Sequence, residues 1–434
     1  MKLFGSSGVR RVVDRSFLEL TFQIGIAVGE SYHSVVVGMD TRTSSDAMRY
    51  ALVSGLLSTG CRVCNAGIVP TPTLAYAARG FEAGAMITAS HNPPEYNGVK
   101  LCNPGGSAFN SDQRKQIEEK IGGNLVETAS WDRMRDLESY GGAIEEHMSR
   151  ILRDFDYMSG VKVVLDCGCG AASVIAPYLL KRLGCQIVAI NSYPSGFFPR
   201  SASAHKKYPY YSKAIVQAVG ADVGIAHDGD GDRMVAVDEG GEFIPGDKLL
   251  ALFARELGVE RLVTTVDASM AIEELGFEVV RTRVGDAFVS EELKGGGEFG
   301  GEPSGSWIFP EVSYCPDGIY AAAKVVQMAG QSRLSRLVQD LPSYPVLRGS
   351  APWTNPDMEG LEAMLVSLEP LSVSRVDGIR LAFDDGWLLV RPSGTEPKIR
   401  IATEAREMGR AKRLYDAALT MVQECVKEGE GIGG

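Results

Sequence analysis

Three aspartates alternate with glycines in AHDGDGDR, residues 226–233. Because the glycines add no side-chain bulk, Asp228, Asp230 and Asp232 can converge on one point. Three hard oxygen ligands with open positions suit Mg2+, which keeps water or phosphate oxygens in its shell. A calcium loop is the rival reading, since counting Asp228 as position 1 puts Glu239 at position 12. Arg233 stands where that loop needs glycine, however, and the flanks ADVGIA and MVAVDE read as strands rather than helices. The magnesium reading prevails.

Three further stretches carry chemistry. In TASHNPPEYNGVK, residues 88–100, Ser90 follows the apolar run GAMI and precedes a loop stiffened by Pro93 and Pro94. A serine held there can act as a nucleophile or phosphate carrier, with turn chemistry as the alternative. His91 and Lys100 are candidates to supply charge or a proton. In GGEPSGSW, residues 300–307, Glu302 and Ser304 offer a carboxylate and a hydroxyl to a polyol, although a plain turn fits equally. In RPSGTEPKIR, residues 391–400, Arg391, the hydroxyls of Ser393 and Thr395, and backbone N–H groups around Gly394 make a nest for a phosphate.

VVLDCGCGAA, residues 163–172, has the look of a nucleotide-binding turn. Such a turn wants an acidic residue closing the next strand, and QIVAINS ends instead at Asn191 and Ser192. Its glycines are therefore read as allowing close helix–sheet packing.

The elements that must position these loops are β-branched strands alternating with amphipathic helices, the pattern of βαβ units and mainly parallel sheets. The last stretch, VDGIRLAFDDGWLLVRPSGTEPKIRIATEA, alternates apolar and polar residues as antiparallel strands do, and a helix follows it. With 434 residues the chain exceeds a single core. The expected fold is three similar α/β domains with mixed, mainly parallel sheets (1–150, 151–246, 247–345) and a smaller C-terminal α+β domain (346–434), around a central cleft.

A balance of 44 basic against 55 acidic residues argues against a nucleic-acid or anionic-membrane surface. The start MKLFGSSGVRR lacks the apolar run of a signal peptide, and no stretch approaches a membrane span, so a cytoplasmic protein is expected. Eight scattered cysteines, including Cys61 and Cys64 in a strand-like C-x-x-C, read as thiols in a reducing compartment.

With the four stretches in this order, the sequence resembles the α-D-phosphohexomutase family along essentially its whole length. FGSSGVR resembles the family's opening arginine loop and would place Arg10 near the active site. The resemblance implies that Ser90 carries a phosphate, and that Asp228, Asp230 and Asp232 hold Mg2+ with a phosphoserine oxygen completing the site. Arg10, Arg233 and Lys100 would neutralise charge, Glu302 and Ser304 would bind ring hydroxyls, and the nest from Arg391 to Thr395 would grip the idle phosphate. The implied reaction interconverts hexose 6-phosphate and hexose 1-phosphate through a hexose 1,6-bisphosphate. Glucosamine 6-phosphate is the preferred substrate on the compact chain and the FGSSGVR opening, with mannose or glucose phosphates as the alternative and a non-catalytic phosphosugar-binding relative as the reading from another class. The partner is a small phosphosugar rather than a nucleic acid or a membrane, and monomer and dimer both stay open. Two departures from the family pattern stand out: Ser306 and Trp307 replace a common histidine after GEPSG, and PRSASAHKK, residues 199–207, replaces a conserved-type stretch before the metal loop.

Overall fold

The alternation of β-branched runs with amphipathic segments resolves into four sheets. The computed structural model describes residues 3–5, 8–123, 127–200, 210–353, 357–393 and 397–431.

The first sheet contains β1 (Val9–Val12), β2 (Ser34–Met39), β3 (Arg62–Ile68), β4 (Ala83–Ile87), β5 (Tyr96–Cys102) and β6 (Leu137–Ser139) in the order β1-β5-β4-β2-β3-β6. Strands β2, β3, β4 and β6 pair in parallel, while β5 runs antiparallel to both β4 and β1. The second sheet has β7 (Lys162–Asp166), β8 (Gln186–Ile190), β9 (Val223–His227) and β10 (Met234–Val237) in the order β10-β9-β7-β8. The third has β11 (Arg261–Thr265), β12 (Glu278–Thr282), β13 (Phe299–Glu302) and β14 (Ser306–Ile308) in the order β12-β11-β13-β14. Both are parallel apart from one terminal hairpin, β9–β10 or β13–β14. The fourth sheet, of β15 (Val346–Pro352), β16 (Ser372–Ser374), β17 (Ile379–Phe383), β18 (Gly386–Pro392) and β19 (Lys398–Ala405), is antiparallel throughout. Three mixed, mainly parallel sheets and one antiparallel C-terminal sheet are the fold class that the alternation predicts.

All four chemistry-bearing stretches fall on antiparallel connections. Ser90 lies between β4 and β5, the three aspartates between β9 and β10, Ser304 between β13 and β14, and Ser393 between β18 and β19. A hairpin brings its two strands back side by side, so each tip projects from a rigid base.

One continuous apolar core spans the second and third sheets, with Phe253, Phe299, Trp307, Phe309 and Tyr320 at its centre. Phe309 and Tyr320 have ring centroids 4.5 Å apart, and Phe253 meets Trp307 edge-on at 5.2 Å. The first and fourth sheets each build a separate core. The polar stretch before residue 160 is more than a linker. It supplies β6, paired with β3, and the helix Ala143–Leu152, which buries His147, Met148 and Ile151 while Glu145 and Glu146 stay exposed. Among the described residues no helix is long and apolar enough to cross a membrane.

Candidate active site

The β9–β10 tip buries Asp228, Asp230 and Asp232 almost completely, and one carboxylate oxygen from each lies within 4.8 Å of the others. Gly231 takes a φ of 69°, a left-handed turn that a side chain would resist. The tip packs against the turn that looks nucleotide-binding in sequence. Ala171 N–H donates to the Gly229 carbonyl at 2.9 Å, and a Cβ at Gly170 would stand 2.6 Å from that oxygen. The glycine therefore makes room for the aspartate loop rather than for a helix on a sheet, which corrects the sequence reading.

Three buried carboxylates repel one another unless positive charge reaches them. Lys100, from β5, places Nζ 2.7 Å from Asp230 Oδ2 and 2.6 Å from Asp232 Oδ2. Thr71 adds a hydroxyl hydrogen bond to Asp230 Oδ2 at 2.6 Å and donates its N–H to the Asp230 carbonyl at 2.9 Å. Burial, then the charges of Asp232 and Asp230, push Asp228 well above the usual carboxylate range. Asp232 also rises, through burial and the Asp230 charge. Burial would raise Asp230 as well, but Lys100 and Thr71 overcome it and hold that carboxyl low. Burial disfavours the Lys100 cation, yet Asp230 and Asp232 keep it charged. Asp230 Oδ1 and Asp232 Oδ1 are buried with no hydrogen-bond partner among the described residues. Such oxygens are costly to leave unmet, and a divalent cation meets them. The residues present fit a metal.

Ser90 brings its hydroxyl to this cluster. Ser90 Oγ donates to Asp228 Oδ2 at 3.0 Å and lies 3.3 Å from His91 Nδ1. The geometry needs an uncommon backbone: φ at Ser90 is 51°, in the left-handed region, which costs a non-glycine residue about 1–3 kcal/mol unless its surroundings impose it. Arg10, on β1, donates from Nη1 to Asn92 Oδ1 at 3.3 Å and so reaches the same loop. Charge from Arg233, burial, and charge from Arg10 together push the His91 imidazole down to about 2. Arg233 donates its backbone N–H to Asp228 Oδ1 at 3.2 Å and leaves its buried Nε without a partner among the described residues.

The third sheet joins through Arg233. Residues Arg233 and Ser306 form a β-bridge, and Met234 N–H donates to the Gly305 carbonyl at 3.0 Å. Glu302 accepts from Gly285 N–H at 2.7 Å and from Ser304 Oγ at 3.1 Å. Burial, then the charge of Asp286, pushes the Glu302 carboxyl up to about 7. Arg391 connects less directly. Its Nη1 lies 3.6 Å from Asp377 Oδ2, and that oxygen accepts from Val284 N–H at 3.1 Å, one residue before Gly285. Ser393 Oγ is buried without a hydrogen-bond partner among the described residues. Gly394 and Thr395 lie outside the described residues, as do residues 201–207 of the altered PRSASAHKK stretch.

Models of the phosphoglucomutase/phosphomannomutase alpha/beta/alpha domains I, II and III match residues 1–125, 143–241 and 245–344, and that of the C-terminal domain matches 354–420. The chain belongs to the α-D-phosphohexomutase family. Among phosphohexomutase relatives, a Methanosarcina acetivorans protein named "Probable phosphoglucosamine mutase" is 49% identical over 98% of this chain and 100% of its own length. A Pyrococcus horikoshii protein of the same name is 41% identical over 98% and 99%. A solved phosphoglucomutase/phosphomannomutase family protein from Burkholderia thailandensis superposes with a TM-score of 0.89 at 28% identity, covering 98% of this chain and 97% of that one.

Several residues of this phosphohexomutase centre carry no signal in the sequence. Thr71 sits in a helix start 159 positions from the aspartate it bonds. Arg200 donates to Asp166 and to the His227 carbonyl beside the aspartate loop, and Arg42 holds the Ser90 loop from behind. Their only trace is position, at or beyond strand ends. Trp307 proves to be a core residue: its indole N–H donates to the Met234 carbonyl at 2.9 Å and the ring is fully buried. Ser306 of that pair is the residue that pairs with Glu302 and bridges to Arg233.

Proposed function

We propose that the chain interconverts glucosamine 6-phosphate and glucosamine 1-phosphate through a phosphate carried on Ser90. The observation that carries this reading is the Ser90 hydroxyl, 3.0 Å from Asp228 inside a cluster of three buried carboxylates. The names of relatives 41–49% identical along nearly the whole chain support the hexosamine pair over mannose or glucose phosphates. Eight cysteines scattered along the chain, rather than spaced as a disulfide framework, support a reducing compartment, the cytoplasm.

Asp228, Asp230 and Asp232, with an oxygen of phosphorylated Ser90, would hold Mg2+, whose charge offsets that of the phosphoryl group in flight. The Ser90 O–P bond breaks as the phosphate passes to the free hydroxyl of the hexose monophosphate, which gives up its proton while the released Ser90 Oγ takes one up. The hexose 1,6-bisphosphate turns over in the cleft, and Ser90 Oγ takes the other phosphate. Phosphoryl transfer is mostly positioning and charge neutralisation, and Lys100, Arg233 and Arg10 supply the fixed positive charge. Glu302 and Ser304 receive ring hydroxyls in either orientation. Arg391, Ser393, Gly394 and Thr395 would hold the phosphate that is not reacting.

Purified protein assayed with Mg2+ on the 1-phosphates of glucosamine, mannose and glucose tests the reading. Turnover of the glucosamine ester should dominate, and equal or faster turnover of mannose or glucose phosphate overturns that choice. Ser90→Ala should abolish turnover and remove one phosphate from the intact mass; full activity in that variant sinks the phosphoserine route.

A further inference from the structure

We infer that Arg42 is the positioning residue of Ser90: from the backbone side it holds the serine loop in the conformation that aims Oγ at the aspartates. This rests on the phosphoserine reading and adds a residue outside the four chemistry-bearing stretches.

Arg42 and Asp40 follow β2 and form an ion pair at 3.0 Å with both side chains fully buried. All five N–H donors of the guanidinium are engaged. Nε donates to Asp40 Oδ2; Nη1 donates to the carbonyls of Pro93 at 2.6 Å and Tyr96 at 2.8 Å; Nη2 donates to those of Ser90 and Asn92, each at 2.8 Å. Four carbonyls of one loop thus converge on one planar fork. A second arm reaches Ser90 from the same carboxylate. Asp40 Oδ2 accepts from Thr88 Oγ1 at 2.7 Å, and Thr88 Oγ1 accepts from Ser90 N–H at 2.8 Å. Both sides of the left-handed residue are therefore tied to Asp40, the carbonyl through Arg42 and the N–H through Thr88.

The remaining Asp40 oxygen accepts from Arg42 N–H at 3.0 Å and from Ser45 Oγ at 2.9 Å, so the anchor cannot swing. The turn is also referenced to the second sheet. Thr41 Oγ1 donates to the Cys169 carbonyl at 2.9 Å, and the Phe198 ring lies 5.0 Å from Arg42 Cζ. A buried ion pair is poor value as a stabiliser, because desolvation offsets the attraction. What a planar, five-donor fork supplies is geometry, and lysine with three donors on a flexible stem cannot copy it. Arg42 touches no reacting atom; it acts through the loop.

Arg42→Lys keeps the charge and loses the fork. Displacing a reacting group by about 1 Å can cost about 10²-fold in rate, so kcat should fall by about that factor with KM unchanged, when measured well below the variant's melting transition. A merely structural residue would lower the melting point and leave kcat of the folded enzyme intact. Folded Arg42→Lys with wild-type kcat overturns the inference. Should that variant not fold, Thr88→Val decides, since it keeps shape and cuts the second arm: a clear loss in kcat at constant KM supports the inference, and wild-type kcat rejects it. Ser90→Ala, run in parallel, separates the two readings. If Ser90→Ala is inactive while both loop variants turn over normally, only the role of Arg42 falls; if Ser90→Ala is active, the phosphoserine reading falls first.

Discussion

The aspartate loop is met by side chains or backbone from three sheets: Ser90 and Lys100 from the first, its own β9–β10 hairpin from the second, and Gly305 and Ser306 from the third. Arg391 belongs to a domain attached much more lightly. The fourth sheet keeps a core of its own and touches the third through the small apolar cluster of Val266, Trp387 and Leu389. The other ties are polar. Glu404, fully buried, accepts across the boundary from Ser269 Oγ at 2.5 Å and Met270 N–H at 2.7 Å and within its own sheet from Trp387 Nε1 at 2.7 Å, and Arg380 donates to the Val266 carbonyl at 3.1 Å. Polar interfaces of this kind allow relative domain motion by default. The contrast suits the proposed reaction, in which the transfer centre must be rigid while the sugar between its two phosphates has to turn over: the loop that would hold the idle phosphate belongs to the domain that can move.

The largest expected effect strikes the rigid side. Asp230→Ala removes a carboxylate and one of the two partners of the Lys100 cation, so kcat should fall by about 10³-fold or more, the several kcal/mol a metal contributes, with the circular dichroism unchanged. A loss of only a few-fold would show that the centre is not built around this loop. Next, Arg391→Ala should raise KM by about 10- to 100-fold, the loss of a hydrogen bond from a charged donor, and leave kcat nearly intact. A fall in kcat at constant KM would place Arg391 in the transfer centre and erase the contrast. Glu404→Ala leaves two N–H groups and a hydroxyl unmet and should destabilise by about 1–3 kcal/mol. Calorimetry should then resolve an early transition of the C-terminal domain, whereas a single shifted transition would mean that the fourth domain melts as one with the others. The smallest effect concerns pH. Burial and Asp286 raise Glu302 to about 7, so its carboxylate is protonated below and ionised above that point. An ionised carboxylate accepts sugar hydroxyls better, so KM should fall a few-fold as pH rises through 7. Glu302→Gln should flatten that profile, and an unchanged slope in the variant would assign the titration elsewhere.

The sequence alone determined what is local. Alternating glycines make Asp228, Asp230 and Asp232 a converging set wherever the loop lies, prolines stiffen the chain after Ser90, and strand–helix alternation fixes three mixed sheets before an antiparallel one. Tertiary structure decided what depends on distance. Thr71, Arg42 and Arg200 become site residues only because folding carries strand ends from separate sheets to one place, and nothing in their immediate neighbours marks them. Trp307 stands beside the sugar loop in sequence, yet the two-residue period of β14 turns its ring into the core while Ser306 pairs with Glu302. Gly170 likewise reads as helix packing until the carbonyl of Gly229 is seen against it. Side-chain chemistry is written in residue types, but which groups share a low-dielectric pocket, and so which charges need partners, is set by long-range packing.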